Sequence, residues 1–223
     1  MLVSSYYTGK HARYYNVRWR TYTRKTLAEV QAAIDFSMLG RVPERLGRPP
    51  RVLDVACGTG VLLKRLLEQM PGVEAYGVDA SAGMLAQAGA ALKDQPRVHL
   101  ERTEVGAGDT ASLPYAPETF DLITFTNALH DLPEPVATLR GLKRLLAPEG
   151  QLVMEDFARR ERPFPWAAVE WLLRRVEEER GHALILAEAQ TFCMQVGLGV
   201  SCGKAFTVNW LWHAWVLRAS AYI

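Results

Sequence analysis

From Arg51 to Phe157 the chain switches repeatedly between two hydrophobic periods, and this alternation limits the fold more than any other feature. Short apolar runs of strand character occupy about 51–56, 73–79, 97–103, 119–126 and 151–157. Stretches of helical period separate several of them. Leu62, Leu63, Leu66, Leu67 and Met70 fall on one helical face, which stops at Pro71 and Gly72. Ser81 is placed to cap a helix running to about Lys93. Val136, Leu139, Leu142, Leu145 and Leu146 mark a further helix, closed by the APEG segment that ends at Gly150. Strands and helices alternating in this way predict a parallel sheet with helices on both faces.

The flanks complete the plan. Residues 11–39 read as helical, ending near Gly40 and Pro43, and 41–50 read as a loop into the first strand. Two helical stretches, about 164–180 and 183–196, follow the fifth strand. The chain ends in two strand-like runs, about 199–206 and 209–219. The few residues between these runs allow a hairpin but no parallel crossover. The expected fold is α/β and Rossmann-like: a mostly parallel seven-stranded sheet with one antiparallel strand near the C-terminus and helices on both faces. A chain of 223 residues, 49% of them hydrophobic, fits one domain over 1–223. Its parts are a helical cap (11–39), a core (51–157), a helical segment (158–197) and a C-terminal hairpin (198–223).

The most specific motif lies where the first strand hands over to the first helix. Residues 54–60 read DVACGTG. Gly58 and Gly60 allow a sharp turn and close approach of a ligand to the backbone. The helix beginning at Val61 offers free N–H groups and the positive end of its dipole. Asp79, nineteen residues after Gly60, ends the second strand, where a carboxylate can accept from ribose hydroxyls. Turn and acid together describe a nucleoside site. A dinucleotide fingerprint needs a third glycine, which is absent, and no GxxxxGK[ST] loop occurs. Asp54 would repel a pyrophosphate but attract an ammonium.

Four segments then resemble the motifs of class I S-adenosylmethionine-dependent methyltransferases. They are VLDVACGTG at 52–60, GVDAS at 77–81 with Met84 and Leu85, GDTASLP at 108–114, and the pair FDLI at 120–123 and LLAPEG at 145–150. Within that family the chain is similar to the small-molecule group that includes quinone-biosynthesis C-methyltransferases. The resemblance implies S-adenosyl-L-methionine as cofactor and a small-molecule methyl acceptor. It implies that Asp54 holds the methionine ammonium and that Ala56, Gly58 and Gly60 form a backbone cradle. Asp79 would bind the ribose, with Ala80 and Met84 packed on the adenine. Asp109 would accept from the adenine amino group, and the Thr110 N–H would meet the ring. Asn127 would face the methionine part. Tyr15, in the YNVRW segment at 15–19, resembles a residue that closes over the cofactor.

Methyl transfer from a sulfonium is an in-line displacement that depends on alignment and on excluding water. It needs a base only for some acceptors. His130 leaves the fourth strand towards the reacting region and is the candidate catalytic base, with Asp131 or Glu155 assisting. The helices of 158–197, with Phe157, Phe164, Trp166 and Trp171, are expected on the acceptor side. Trp210, Trp212 and Trp215 are better placed in the core or hairpin. Cys57 reads as a space-filler within the cradle.

Composition narrows the alternatives. The net charge of +2 names no partner. Residues 1–28 contain no Asp or Glu but carry Lys10, Arg13, Arg18, Arg20, Arg24 and Lys25 among Tyr14, Tyr15, Trp19 and Tyr22. That pattern fits a helix with a solvated basic face, or a surface for RNA, protein or anionic membrane. No [DN]PP[YF] segment follows the fourth strand, which argues against nucleic acid as the acceptor. Cys57, Cys193 and Cys202 form no CxxC pair, and His11, His99, His130, His182 and His213 form no HxH or HxxxH pair, so no metal site is expected. Neither a signal peptide nor an apolar run long enough to span a bilayer is read, and a cytoplasmic location is expected. A cofactor-binding regulator without catalysis stays open as an alternative, and a nicotinamide oxidoreductase stays as a weaker one.

Overall fold

The computed structural model describes residues 14, 16–17, 19–105, 113–159, 183–210 and 212–221. Tyr15, Asp109, Thr110, Phe164, Trp166 and Trp171 therefore lie outside the described residues, as does the helix expected over 164–180.

Seven strands form one sheet in the order β3-β2-β1-β4-β5-β7-β6. They are β1 (Arg51–Val55), β2 (Glu74–Asp79), β3 (Val98–Arg102), β4 (Phe120–Thr126), β5 (Leu146–Phe157), β6 (Gly199–Thr207) and β7 (His213–Ser220). The first five pair in parallel, and β7 pairs antiparallel to both β5 and β6. The one antiparallel strand thus inserts between β5 and the edge strand β6. The chain folds back from β6 into this gap through a short connection, as hairpin geometry requires.

Helices cover both faces. They are α1 (Arg20–Ala33), α2 (Phe36–Gly40), α3 (Val42–Leu46), α4 (Val61–Gln69), α5 (Ala82–Ala91), α6 (Pro135–Leu145) and α7 (Leu186–Gln195). Successive strand side chains point to opposite faces, so each central strand feeds two cores. Leu53, Ile123, Leu152, Met154, Trp215 and Leu217 pack with Leu139 and Leu142 of α6 and Cys193 of α7. Val52, Leu122, Val153 and Val216 pack with Leu27 and Val30 of α1 and Leu62, Leu63 and Leu66 of α4.

Two local expectations are corrected. Residues 11–39 do not form one helix, because Ile34 is extended (φ −69°, ψ 131°) and ends α1. Asp35 then restarts the chain as the N-cap of α2, its Oδ1 accepting from the N–H groups of Ser37 and Met38 at 3.1 and 3.3 Å. Residues 41–50 are not all loop: Val42–Leu46 is a helical turn with Pro43 at its start, where the missing N–H costs nothing, and Gly47 ends it at φ 62°. Ser81 caps α5 as expected, its Oγ accepting from Met84 N at 3.2 Å.

Candidate functional site

The strand order places β1 beside both β2 and β4, and the sequence of connections reverses direction between β1 and β4. A crevice opens beyond the carboxyl ends of the strands at such a reversal. A cavity occupies it, lined among others by Asn16, Asp54, Ala56, Gly58, Thr59, Asp79, Ala80, Met84, Asn127, Asp131 and Glu155. Of the residues expected to bind a cofactor, Asp54, Ala56, Gly58, Asp79, Ala80, Met84 and Asn127 converge on this one space.

The turn between β1 and α4 is built on unusual backbone. Ala56, Gly58 and Gly60 all take positive φ, at 56°, 54° and 73°. A side chain at Gly58 would meet nothing within 4 Å, so the turn presents open backbone to the cavity. At Gly60 a Cβ would lie 3.0–3.1 Å from Leu92 and Ala88, so this glycine serves the packing of α5 under the turn. Asp79 ties turn and strand together: its Oδ2 accepts from Gly58 N and its Oδ1 from Ser81 N, both at 2.8 Å. Burial raises the Asp79 pKa, and these two N–H groups partly oppose the rise. Each oxygen keeps a second lone pair, and Asp79 lines the cavity.

Asp54 is 1% exposed. Its Oδ1 accepts from Thr124 Oγ1 at 2.7 Å, and no cationic side chain stands near it among the described residues of the cavity wall. Burial, opposed by that hydrogen bond and aided by the charge of Asp79, pushes its pKa up to about 7. Asn127, at φ 53°, has a buried Oδ1 with no hydrogen-bond partner. A buried carboxylate lacking a cation and a buried amide oxygen lacking a donor both face a gap that a polar, positively charged ligand would fill. Cys57 is buried beside the turn, and burial together with Asp54 and Asp79 pushes its thiol far up, which suits a space-filler and not a nucleophile.

Sequence reasoning missed Asn16, whose Oδ1 accepts from Thr59 Oγ1 at 2.7 Å and so fastens the N-terminal segment to the glycine-rich turn. The only signal for it is its place next to Tyr15. It also gave Glu155 a secondary part. Glu155 lines the cavity at the end of β5, is 1% exposed, and accepts from Tyr22 OH at 3.1 Å.

His130 stands differently from the expectation. It is buried behind the cavity wall and is not among the lining residues. Its Nδ1 lies 2.6 Å from Asp156 Oδ1, its Nε2 lies 3.4 Å from Asp131 Oδ1, and its main-chain N donates to Asp156 Oδ2 at 2.8 Å. Burial alone would lower its pKa, but the charge and hydrogen bond of Asp156 prevail and raise it to about 9. An imidazolium with a carboxylate at each nitrogen has no lone pair for a proton, so this placement does not favour a base at His130.

The expected aromatic assignments divide. Phe157 does not face the cavity; it packs with Trp19, Tyr22 and Trp212 at centroid distances of 4.7–6.2 Å, and the His130 ring meets its edge. Trp212 belongs to this cluster and Trp215 is fully buried, whereas Trp210 is exposed at the hairpin connection. The described residues contain no group of three or more His, Cys, Asp or Glu arranged to hold a metal, and no described helix is long and apolar enough to cross a membrane.

Comparison with known proteins adds independent findings. Residues 53–152 match the family described as "Methyltransferase domain". The demethylmenaquinone methyltransferase of Beutenbergia cavernae is 34% identical over 131 residues, covering 58% of this chain and 49% of that protein. The chain spans about half the length of the curated relatives it matches. Among solved structures, an O-methyltransferase family 2 protein from Planctomyces limnophilus in complex with apigenin aligns over 94% of this chain and 61% of its own, with TM-score 0.70 and 17% identity. A phosphoethanolamine N-methyltransferase of Haemonchus contortus, in complex with phosphomonomethylethanolamine and S-adenosylhomocysteine, aligns over 82% of this chain and 52% of its own, with TM-score 0.62 and 14% identity. At those identities the structural likeness shows the fold alone.

Proposed function

From the match of residues 53–152 to a methyltransferase domain, we propose that this chain binds S-adenosylmethionine in the β1–β4 crevice and transfers its methyl group to a small-molecule acceptor. The observation that carries the reading is Asp54: a buried carboxylate, raised to about 7, beside an open glycine-rich turn, with no cation among the described residues of the wall. The family match and the presence of S-adenosylhomocysteine in one structural neighbour support the same cofactor. The name of the curated relative adds a quinone-type compound to the candidate acceptors.

The residues of the crevice divide the work. Asp54 would pair with the cofactor's ammonium, and the backbone of Ala56 to Gly60 would cradle its amino-acid end. Asp79, already oriented by Gly58 and Ser81, would accept from the ribose hydroxyls. Ala80 and Met84 would lie against the base, joined by Asp109 and Thr110 from the loop before β4. Asn127 would find its missing donor in the ligand. Bound there, the cofactor supplies an electrophilic methyl group. The protein's task is then to hold the acceptor in line and to keep water out, which in well-aligned cases accounts for about 7–11 kcal/mol of barrier. Tyr22 and Leu27 of α1 contribute to the cavity wall, and His130 would act as a positioning residue through its contacts with Asp131 and Asp156.

The test is a thermal-shift series with S-adenosylmethionine, S-adenosylhomocysteine and NAD. The first two are expected to raise the melting temperature by mass action and NAD to leave it unchanged. A shift with NAD alone would sink the reading.

A further inference from the structure

Two carboxylates of the cavity wall, Glu155 and Asp131, take no part in holding the cofactor proposed above. Glu155 is the more confined. Its surroundings are Tyr22 from α1, His130 from the 3-10 turn over Leu129–Asp131, and Asp156 next to it on β5, and Asp131 shares the cavity wall with it. Its strand neighbours, Thr126 on β4 and Val216 on β7, carry no charge. Tyr22 OH fixes one carboxyl oxygen. The described lining also contains Asp54 and Asp79 but no Lys, Arg or His, and apolar surface from Leu27, Phe125 and Leu132. Among the described lining residues no cation stands ready to pair with an acceptor carboxylate or phosphate beside Glu155 and Asp131, whereas the cofactor's own carboxylate would meet the backbone N–H groups of the turn at 56–60.

We propose that Glu155 receives the proton released by the methyl acceptor, and that the acceptor is an uncharged or cationic O–H or N–H compound and not an anion. The inference rests on the methyl-transfer reading and adds the acceptor's chemistry to it. Acceptor binding expels to water the proton that Glu155 holds near neutrality; in the step, the acceptor's O–H or N–H proton then passes to the Glu155 carboxylate, leaving a lone pair on the acceptor atom. That pair forms the bond to the methyl carbon while the carbon–sulfur bond breaks with its electrons going to sulfur. Glu155 returns the proton to water between turnovers. Burial and the neighbouring Asp156 push its carboxyl up to about 8, against the opposing hydrogen bond of Tyr22 and charge of His130, which brings it closer to phenols and ammonium ions than an ordinary carboxyl. Tyr22 is the positioning residue that holds this base.

The experiment uses the full chain saturated with S-adenosylhomocysteine and three probes of similar size: benzylamine, phenol and benzoate. Binding is followed by ligand-observed NMR and calorimetry. Benzylamine or phenol is expected to bind at least about tenfold more tightly than benzoate, and which of the two prevails separates an amine from a phenolic acceptor. Glu155→Gln should bring the preference over benzoate to within about twofold while the affinity for S-adenosylhomocysteine stays unchanged. Binding of benzylamine at neutral pH should release a proton from the wild type and none from the Gln variant. Tyr22→Phe should move the pH of that release upward, since the hydroxyl it loses stabilises the ionised carboxyl. Benzoate binding as tightly as the others, an unchanged preference in Glu155→Gln, or no binding of any probe at millimolar concentration would overturn the assignment. Failure of the wild type to bind S-adenosylhomocysteine would instead overturn the cofactor reading beneath it.

Discussion

The two aspartates of the cofactor crevice make different demands, and their substitutions should separate. Asp79 is already polarised by two backbone donors, so Asp79→Ala removes the brace of the turn together with the ribose contact proposed for it. A loss of about 1.5–3 kcal/mol in S-adenosylmethionine binding is expected in calorimetry, the range for hydrogen bonds to a charged group. Asp54 should instead show itself through pH. Its folded, ligand-free pKa is raised to about 7, and an ammonium selects its ionised form. Affinity should therefore be full above pH 7 and fall as pH drops through that value, by up to about tenfold per pH unit. Asp54→Asn should weaken binding and flatten the profile. Both acids were legible in the sequence because strand ends and glycine turns fix where such residues point. Glu155 was only half legible. Nothing at position 155 announces that Tyr22, 133 residues away, would reach its carboxyl. The setting of His130 was not legible, because its controlling partner, Asp156, sits 26 residues away on a neighbouring strand.

At the scale of elements, the βα units were legible since each carries its own period and punctuation. The breaks in the N-terminal helix were not, because Asp35 competes as a cap and Gln151 then holds it from β5, its Oε1 accepting from Asp35 N at 2.9 Å. The fit of α4 onto the sheet depends on Gly77 of β2. A Cβ there would come within 2.8–3.0 Å of Leu63, Leu100 and Cys57. Gly77→Ala is therefore expected to cost about 1–3 kcal/mol in urea unfolding through overpacking, with a loss of cofactor affinity because Cys57 lies in the cradle. The placement of α1 is set from its far side. Lys25 Nζ donates to the carbonyl of Val208 at 3.2 Å and Lys204 pairs with Glu29, so the C-terminal hairpin holds the helix whose Tyr22 reaches Glu155. The basic N-terminal residues that suggested a binding surface thus include one, Lys25, that serves the fold.

For the whole molecule, the buried titratable groups predict how stability changes with pH. His130 is raised from 6.5 to about 9, so its charged pairing with Asp156 contributes fully below 6.5 and is lost as pH rises through 9. Glu155 is raised from 4.5 to about 8 and Asp54 from 3.8 to about 7. A buried acid with a raised pKa holds its proton in the folded chain after the unfolded chain has released it, so it too favours folding less as pH rises. All three groups give the native state more bound protons than the unfolded state, and stability must then decline with pH across their range. The apo protein should lose stability steadily from about pH 5 to 9. The segments are separable. Glu155→Gln should remove much of the decline below pH 8 and leave the part between 8 and 9, which belongs to His130. Saturating S-adenosylmethionine should flatten the part below 7, since its ammonium stabilises ionised Asp54. Urea unfolding at unit pH intervals reads each segment. A curve that rises between pH 7 and 9 would mean that His130 is not held charged in the folded chain, and the positioning role assigned to it would fall with that result.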